Sequence, residues 1–167
     1  MALREEFSKV AEIELSYKGN VKSSDKYVIR TSHDAYHIFI ETWDTNKIEL
    51  QEHFRIMLLD RDNSVLGVST VSTGGISSCI VDTKLVFATA LLAKASGLII
   101  SHNHPSGNKQ FSNVDKKLTG DLMKAGQLLD LPILDHILVT KEGWLSMADN
   151  GEMPVLLDSK SADYVHF

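Results

Sequence analysis

One cysteine in 167 residues, Cys79, rules out a disulfide framework and any cysteine-rich zinc module. No run approaches the ~20 apolar residues of a membrane-spanning helix. The opening MALREEFSKV places acidic residues where a signal peptide needs an apolar stretch. Basic residues are also in short supply: 17 Lys and Arg stand against 22 Asp and Glu, a net charge of −5. That balance argues against a surface built to coat nucleic acid, and any affinity for DNA is expected to be shallow and salt-sensitive. Neither an internal repeat nor a low-complexity stretch interrupts the chain. The expected compartment is the cytoplasm, and the composition is ordinary for a globular protein, 43% hydrophobic and 23% charged, sized for one domain and a short appendage.

What is present reads as α/β. Ala11, Ile13, Leu15 and Tyr17 alternate with polar neighbours, as in a half-buried strand, and Ser32 precedes a helical pattern through Ala35, Ile38, Phe39 and Trp43. This predicts an N-terminal extension, residues 1–45, packed on a main domain of residues 46–150. His53 to Leu59 is a strongly apolar strand, the Asp60–Ser64 segment a turn, and Val65 to Val71 its antiparallel partner. After Gly74-Gly75, Ile76 to Val81 forms another short strand. Asp82 or Thr83 then caps a helix to about Ala95, apolar around most of its girth and therefore expected to be buried. Leu98 to Ile100 has no polar side, as an inner strand requires. Val114, Leu118, Leu122, Ala125 and Leu129 recur at helical spacing in a helix from about Asn113 to Leu129. Ile133 to Thr140 and Trp144 to Met147 form a hairpin around Lys141-Glu-Gly143, and residues 151–167 read as an arm or loose tail. The sum is a mixed sheet with helices on it.

The informative segment is Ser101-His-Asn-His-Pro-Ser-Gly107. In an extended chain residues two apart point to one side, and Pro105 biases His104 toward extended geometry, so His102 and His104 can converge on one point. Asp115, in the first turn of the helix that Ser112 opens, is a natural third ligand. Two imidazoles and one carboxylate leave a position open for water, the arrangement of a catalytic zinc site. Each piece also has a bland explanation. A lone His-x-His is often incidental, and Ser112-Asn-Val-Asp115 reads equally as a capping box.

With seven residues between His104 and Ser112, and two more before Asp115, the segment resembles the JAMM signature of the JAB/MPN superfamily. More narrowly it is similar to the RadC branch, long labelled a DNA-repair family. The likeness runs from about Glu52 to Asp149 and takes in Asp60, Leu134-Asp-His136 and the Trp144 hairpin. It implies a curved mixed sheet with flanking helices, a cytidine-deaminase-like architecture. It also implies a zinc metallopeptidase: one Zn2+ per chain on His102, His104 and Asp115, and zinc-activated water cleaving an amide or isopeptide bond in a protein or peptide substrate. The family pattern requires a glutamate on an earlier strand, and Glu52 stands at that place. The residues alone do not separate it from Glu49 or Glu41. By resemblance Glu52 takes a proton from the attacking water and returns it to the leaving amine, and Ser112 helps stabilise the oxyanion.

His136 reads as a satisfied core histidine ahead of a partner to the site, and Cys79 as a small buried hydrophobe. His33, His37, His53 and His166 show no ligand spacing. A zinc deaminase is excluded because the Pro-Cys-x-x-Cys half of its signature is missing. Two other readings remain beside the hydrolase: a repair or mobile-element protein using the fold to engage nucleic acid, and a catalytically silent scaffold. The intact residue set argues against the scaffold and the acidic charge against the first. The helix-hairpin-helix region of longer RadC proteins has no counterpart in the roughly fifty residues before Glu52. No membrane partner is expected.

Overall fold

The computed structural model describes residues 25–75 and 78–156. The strand expected over Ala11–Tyr17 and most of the C-terminal arm lie outside these residues. Within them are three helices and five strands: α1 (Ser32–Glu41), β1 (His53–Leu59), β2 (Val65–Thr73), α2 (Thr83–Leu92), β3 (Gly97–Asn103), α3 (Asn113–Leu128), β4 (Ile133–Thr140) and β5 (Gly143–Ser146). The strands make one open mixed sheet in the order β2-β1-β3-β4-β5. β1 is antiparallel to both β2 and β3, β3 runs parallel to β4, and β4 turns back antiparallel into β5. α3 supplies the long crossover that a parallel pair needs.

β1 and β3 are buried at every residue, which is why residues 56–59 and 98–100 are continuous apolar runs. Alternation along them fills two cores. Phe54, Ile56, Leu58, Leu98 and Ile100 face α2 and α3, meeting Val86, Phe87 and Leu122. Met57, Leu59, Ile99, Ile137 and Val139 face the other way, onto Ala35 and Phe39 of α1. Each of these fully buried large side chains contributes about 1.5–3 kcal/mol. The predicted N-terminal helix is thus present as one outer layer. Its cap is Thr31, whose hydroxyl accepts from the Asp34 N–H while Asp34 accepts from the Thr31 N–H. Asp60 builds the β1–β2 turn by accepting the N–H groups of Asp62 and Ser64.

Three expectations need correction. α2 is not buried around its girth: Val86, Phe87 and Ala90 are, but Leu85, Leu91 and Leu92 are 53%, 53% and 63% exposed. A helix lying on one face of a sheet hides one side only, and among the described residues nothing covers the other. Similarly, Val114 and Leu129 of the α3 pattern are exposed, Val114 being in the first turn beside the cleft described below. No strand forms over Ser78–Val81. There the Ser72 hydroxyl takes the Ile80 carbonyl and the Gly75 N–H takes that of Ser78, so the chain turns instead of pairing. Among the described residues no helix is long and apolar enough to cross a membrane.

Candidate metal centre

The last residues of β3 set the site. Phe54 of β1 lies opposite His102, and β3 continues its extended path past Asn103 because the His104 N–H donates to the Val139 carbonyl, 3.1 Å. Successive side chains therefore alternate, and His102 and His104 share one face while Asn103 takes the other. Pro105 ends the ladder. The chain then curls through Gly107, whose φ of +77° suits glycine, and the Gly107 N–H returns to the His104 carbonyl at 3.0 Å. That turn brings the Asn108 carbonyl to 2.8 Å from His104 Nδ1. A carbonyl only accepts, so Nδ1 carries hydrogen, and in the neutral ring Nε2 presents its lone pair.

His104 Nε2 lies 3.0 Å from His102 Nε2. The third member arrives from α3, where Ser112 and Asp115 form the capping box that their spacing predicts. Asp115 Oδ2 accepts the N–H and the hydroxyl of Ser112, at 2.7 and 2.6 Å. Oδ1 is turned to His102 Nε2 at 3.4 Å, and Oδ2 also lies 3.7 Å from His104 Nε2. The three side chains can each offer one atom to a common ion, all within 4.8 Å of one another. Burial works to raise the Asp115 carboxyl, but both imidazoles and Ser112 hold it far below the usual carboxylate range. The facing carboxylate correspondingly raises the His104 imidazole. Two convergent ring nitrogens before a held carboxylate are a donor set that fits a divalent metal. Capping and ligation are thus compatible readings of Asp115, since the cap engages Oδ2 and leaves Oδ1 facing His102.

These residues floor a cleft of about 560 Å³, which is also lined by Glu52, Glu49, Phe54, Cys79, Val81, Val114 and Leu118. Of the three glutamates the sequence left open, Glu52 is half-buried in this cleft and coupled electrostatically to His102, His104 and Asp115. Burial raises its carboxyl above the ordinary value against the pull of the two imidazoles. Glu49 lines the rim but is exposed and paired with Lys141 at 2.6 Å. Glu41 ends α1 outside the cleft. The backbone of Glu52 is gripped on both sides, its N–H by the Gly75 carbonyl at 2.9 Å and its carbonyl by the Gly74 N–H at 2.8 Å. Gly74 has to be glycine, because a Cβ would sit 2.1 Å from the Ser78 carbonyl oxygen. Cys79 is half-buried rather than a core residue, and burial raises its thiol, so it stays protonated.

Two residues with a larger part than their sequence context suggests lie behind the histidines. His136 is fully buried, as a core histidine would be, but its Nε2 is 2.7 Å from His102 Nδ1 and its Nδ1 is 2.7 Å from Thr119 Oγ1. Thr119 donates in turn to the Asp115 carbonyl at 2.7 Å. Asn103, also fully buried, accepts from the His53 N–H at 2.7 Å and donates to the Ile48 and Gln51 carbonyls at 2.7 and 2.8 Å. It thereby ties the His-x-His segment to the residues flanking Glu52. Among the described residues the other histidines stand apart: His33 and His37 pair at 3.1 Å on the exposed face of α1, and His53 packs edge-on against Trp43; His166 lies outside those residues.

Residues 29–152 match the family profile described as the RadC-like JAB domain. A UPF0758 protein of Flavobacterium johnsoniae is 42% identical over 100 residues, which cover 60% of this chain and 44% of that protein. UPF0758 proteins of Halalkalibacterium halodurans and Clostridium kluyveri are 34% and 32% identical over 145 and 142 residues, covering 86% and 85% of this chain and 61% and 60% of theirs. The chain spans about half the length of the curated relatives it matches. The matched span contains the whole sheet, all three helices and the His102–His104–Asp115 cluster, and the chain belongs to the RadC-like JAB family.

Proposed function

We propose that this protein is a zinc-dependent hydrolase of amide or isopeptide bonds in which His102, His104 and Asp115 hold the metal and Glu52 carries the proton. One observation carries the reading: two imidazole Nε2 atoms converge to 3.0 Å before a carboxylate held by a helix cap, with a half-buried glutamate in the same cleft. Two nitrogens and one carboxylate suit zinc and leave coordination open for reaction. When bound, zinc supplies a Lewis acid that acidifies water and polarises a carbonyl. Glu52 takes the proton of the attacking water and passes it to the departing amine nitrogen. Its burial, which favours the protonated form, suits the second half of that task. Ser112 holds Asp115 in place; for it to stabilise an oxyanion as well, its hydroxyl turns from Asp115 Oδ2 into the cleft that it lines. Phe54, Val81, Val114 and Leu118 form an apolar wall for the groups flanking the bond in a protein or peptide substrate.

The test pairs activity with metal content. Zinc-loaded protein is screened against fluorescence-quenched peptides and lysine isopeptide conjugates, alongside Glu52→Gln. The variant keeps shape and hydrogen bonding but cannot accept the proton, so it should retain stoichiometric zinc and lose roughly 10²–10⁴-fold in rate. Equal rates in the two proteins would remove Glu52 from the chemistry.

A further inference from the structure

We propose that His136 and Thr119 are positioning residues that fix the hydrogen of His102 on Nδ1, so that its Nε2 lone pair is aimed at the metal. The inference rests on the hydrolase reading above and adds the device that prepares one of its ligands. It follows from counting hydrogens along a buried chain of contacts. The Asp115 carbonyl can only accept, so the Thr119 hydroxyl, 2.7 Å away, spends its one hydrogen there. Thr119 Oγ1 must then accept from its other neighbour, which places a hydrogen on His136 Nδ1, 2.7 Å away. In the neutral ring His136 Nε2 is left as an acceptor, and the contact of 2.7 Å to His102 Nδ1 is made only if His102 donates. Each contact is of hydrogen-bond length, and Thr119 and His136 are both buried at 0% exposure, where no water competes.

A ligating imidazole is usually oriented by a carboxylate, a backbone carbonyl or a water. Unlike a carboxylate or a carbonyl, an imidazole in that place can donate or accept, so something must set its direction. Thr119 does this from the first turns of α3, the helix that also presents Asp115. The chain thereby closes on itself: His102 is connected through His136 and Thr119 to the backbone of the third ligand. The fold supplies the placement, because β3 and β4 run parallel with Ile100 opposite His136, and His102 lies two residues further along the same face. Phe54 and Phe111 flank the His136 ring at centroid distances of 6.1 and 5.2 Å and confine it.

Thr119→Val and Thr119→Ser test the arrangement without touching a ligand. Valine keeps the branched shape and lacks the hydroxyl, whereas serine keeps the hydroxyl. Zinc affinity is measured by competition with a chromophoric chelator, and Co2+ loading is followed by its visible absorption. Thr119→Val should weaken zinc binding by about 10–100-fold, the usual effect of losing such a partner, and Thr119→Ser should stay close to wild type. Long-range 1H–15N NMR of the metal-free wild type should find the His136 hydrogen on Nδ1. Wild-type affinity in Thr119→Val, or a His136 hydrogen on Nε2, would overturn the proposal. Failure of the wild type to bind zinc would overturn the hydrolase reading instead, and the NMR assignment would still decide the direction of the chain.

Discussion

Asn103 offers a sharp test of how the site is assembled, because it is neither a ligand nor part of the cleft lining. Its side chain is fully buried and makes three hydrogen bonds of 2.7–2.8 Å to the backbone of residues 48, 51 and 53. Asn103→Ala leaves the His53 N–H and the Ile48 and Gln51 carbonyls without these partners. At ~1 kcal/mol for each lost bond, and more for each group left buried and unsatisfied, the cost is roughly 3–5 kcal/mol. That is a large part of the 5–15 kcal/mol typical of a whole domain. Urea unfolding measures the total, and hydrogen exchange at the His53 amide reads the local effect without any need of substrate. Protection of that amide should fall further than protection of the β3 amides, since the damage begins beside Glu52. Asn103→Asp should also destabilise, because its second oxygen would face two carbonyl oxygens. An Asn103→Ala protein within about 0.5 kcal/mol of wild type, the range of ordinary surface substitutions, would refute the reasoning.

Two further outcomes follow from single positions. Asp135 is buried and accepts from the His136 and Ala148 N–H groups and the Ser146 hydroxyl, and burial raises its carboxyl above the ordinary value. A raised folded-state pKa means the native protein binds that proton more tightly, so this group's contribution to stability is fullest in acid and declines as pH rises through the folded value. Asp135→Asn should flatten that part of the pH–stability curve above about pH 4, and an unchanged slope would contradict the assignment. Gly107 has φ +77° and open space where a Cβ would go, so substitution there is a conformational matter alone. Gly107→Ala should cost roughly 1–2 kcal/mol in thermal unfolding and Gly107→Asn less; equal stability for glycine and alanine would remove the argument.

The features legible in the sequence are those that local physics decides. The apolar runs 56–59 of β1 and 98–100 of β3, the alternation that puts His102 and His104 on one face, and the Ser112–Asp115 cap need only a few neighbouring residues, and all appear in the structure. What escaped depends on partners far along the chain. His136 looks like any core histidine until the parallel pairing of β3 with β4 sets it behind His102, and Asn103 is one more polar residue until its bonds across some fifty positions are known. Glu52 separates from Glu49 only once Gly74 and Gly75 grip its backbone and Lys141 takes its rival. The expected burial of α2 failed because composition cannot say how many layers the fold will stack on a helix.

The central claim is that His102, His104 and Asp115 bind one catalytic metal. The most direct measurement is elemental analysis of wild type and His104→Ala after chelation, reloading with one equivalent of zinc and removal of excess. The account predicts one zinc per wild-type chain and little or none in the variant, because losing one of three ligands dismantles the site. Equal zinc in the two proteins, or a wild type that takes up none, would contradict it.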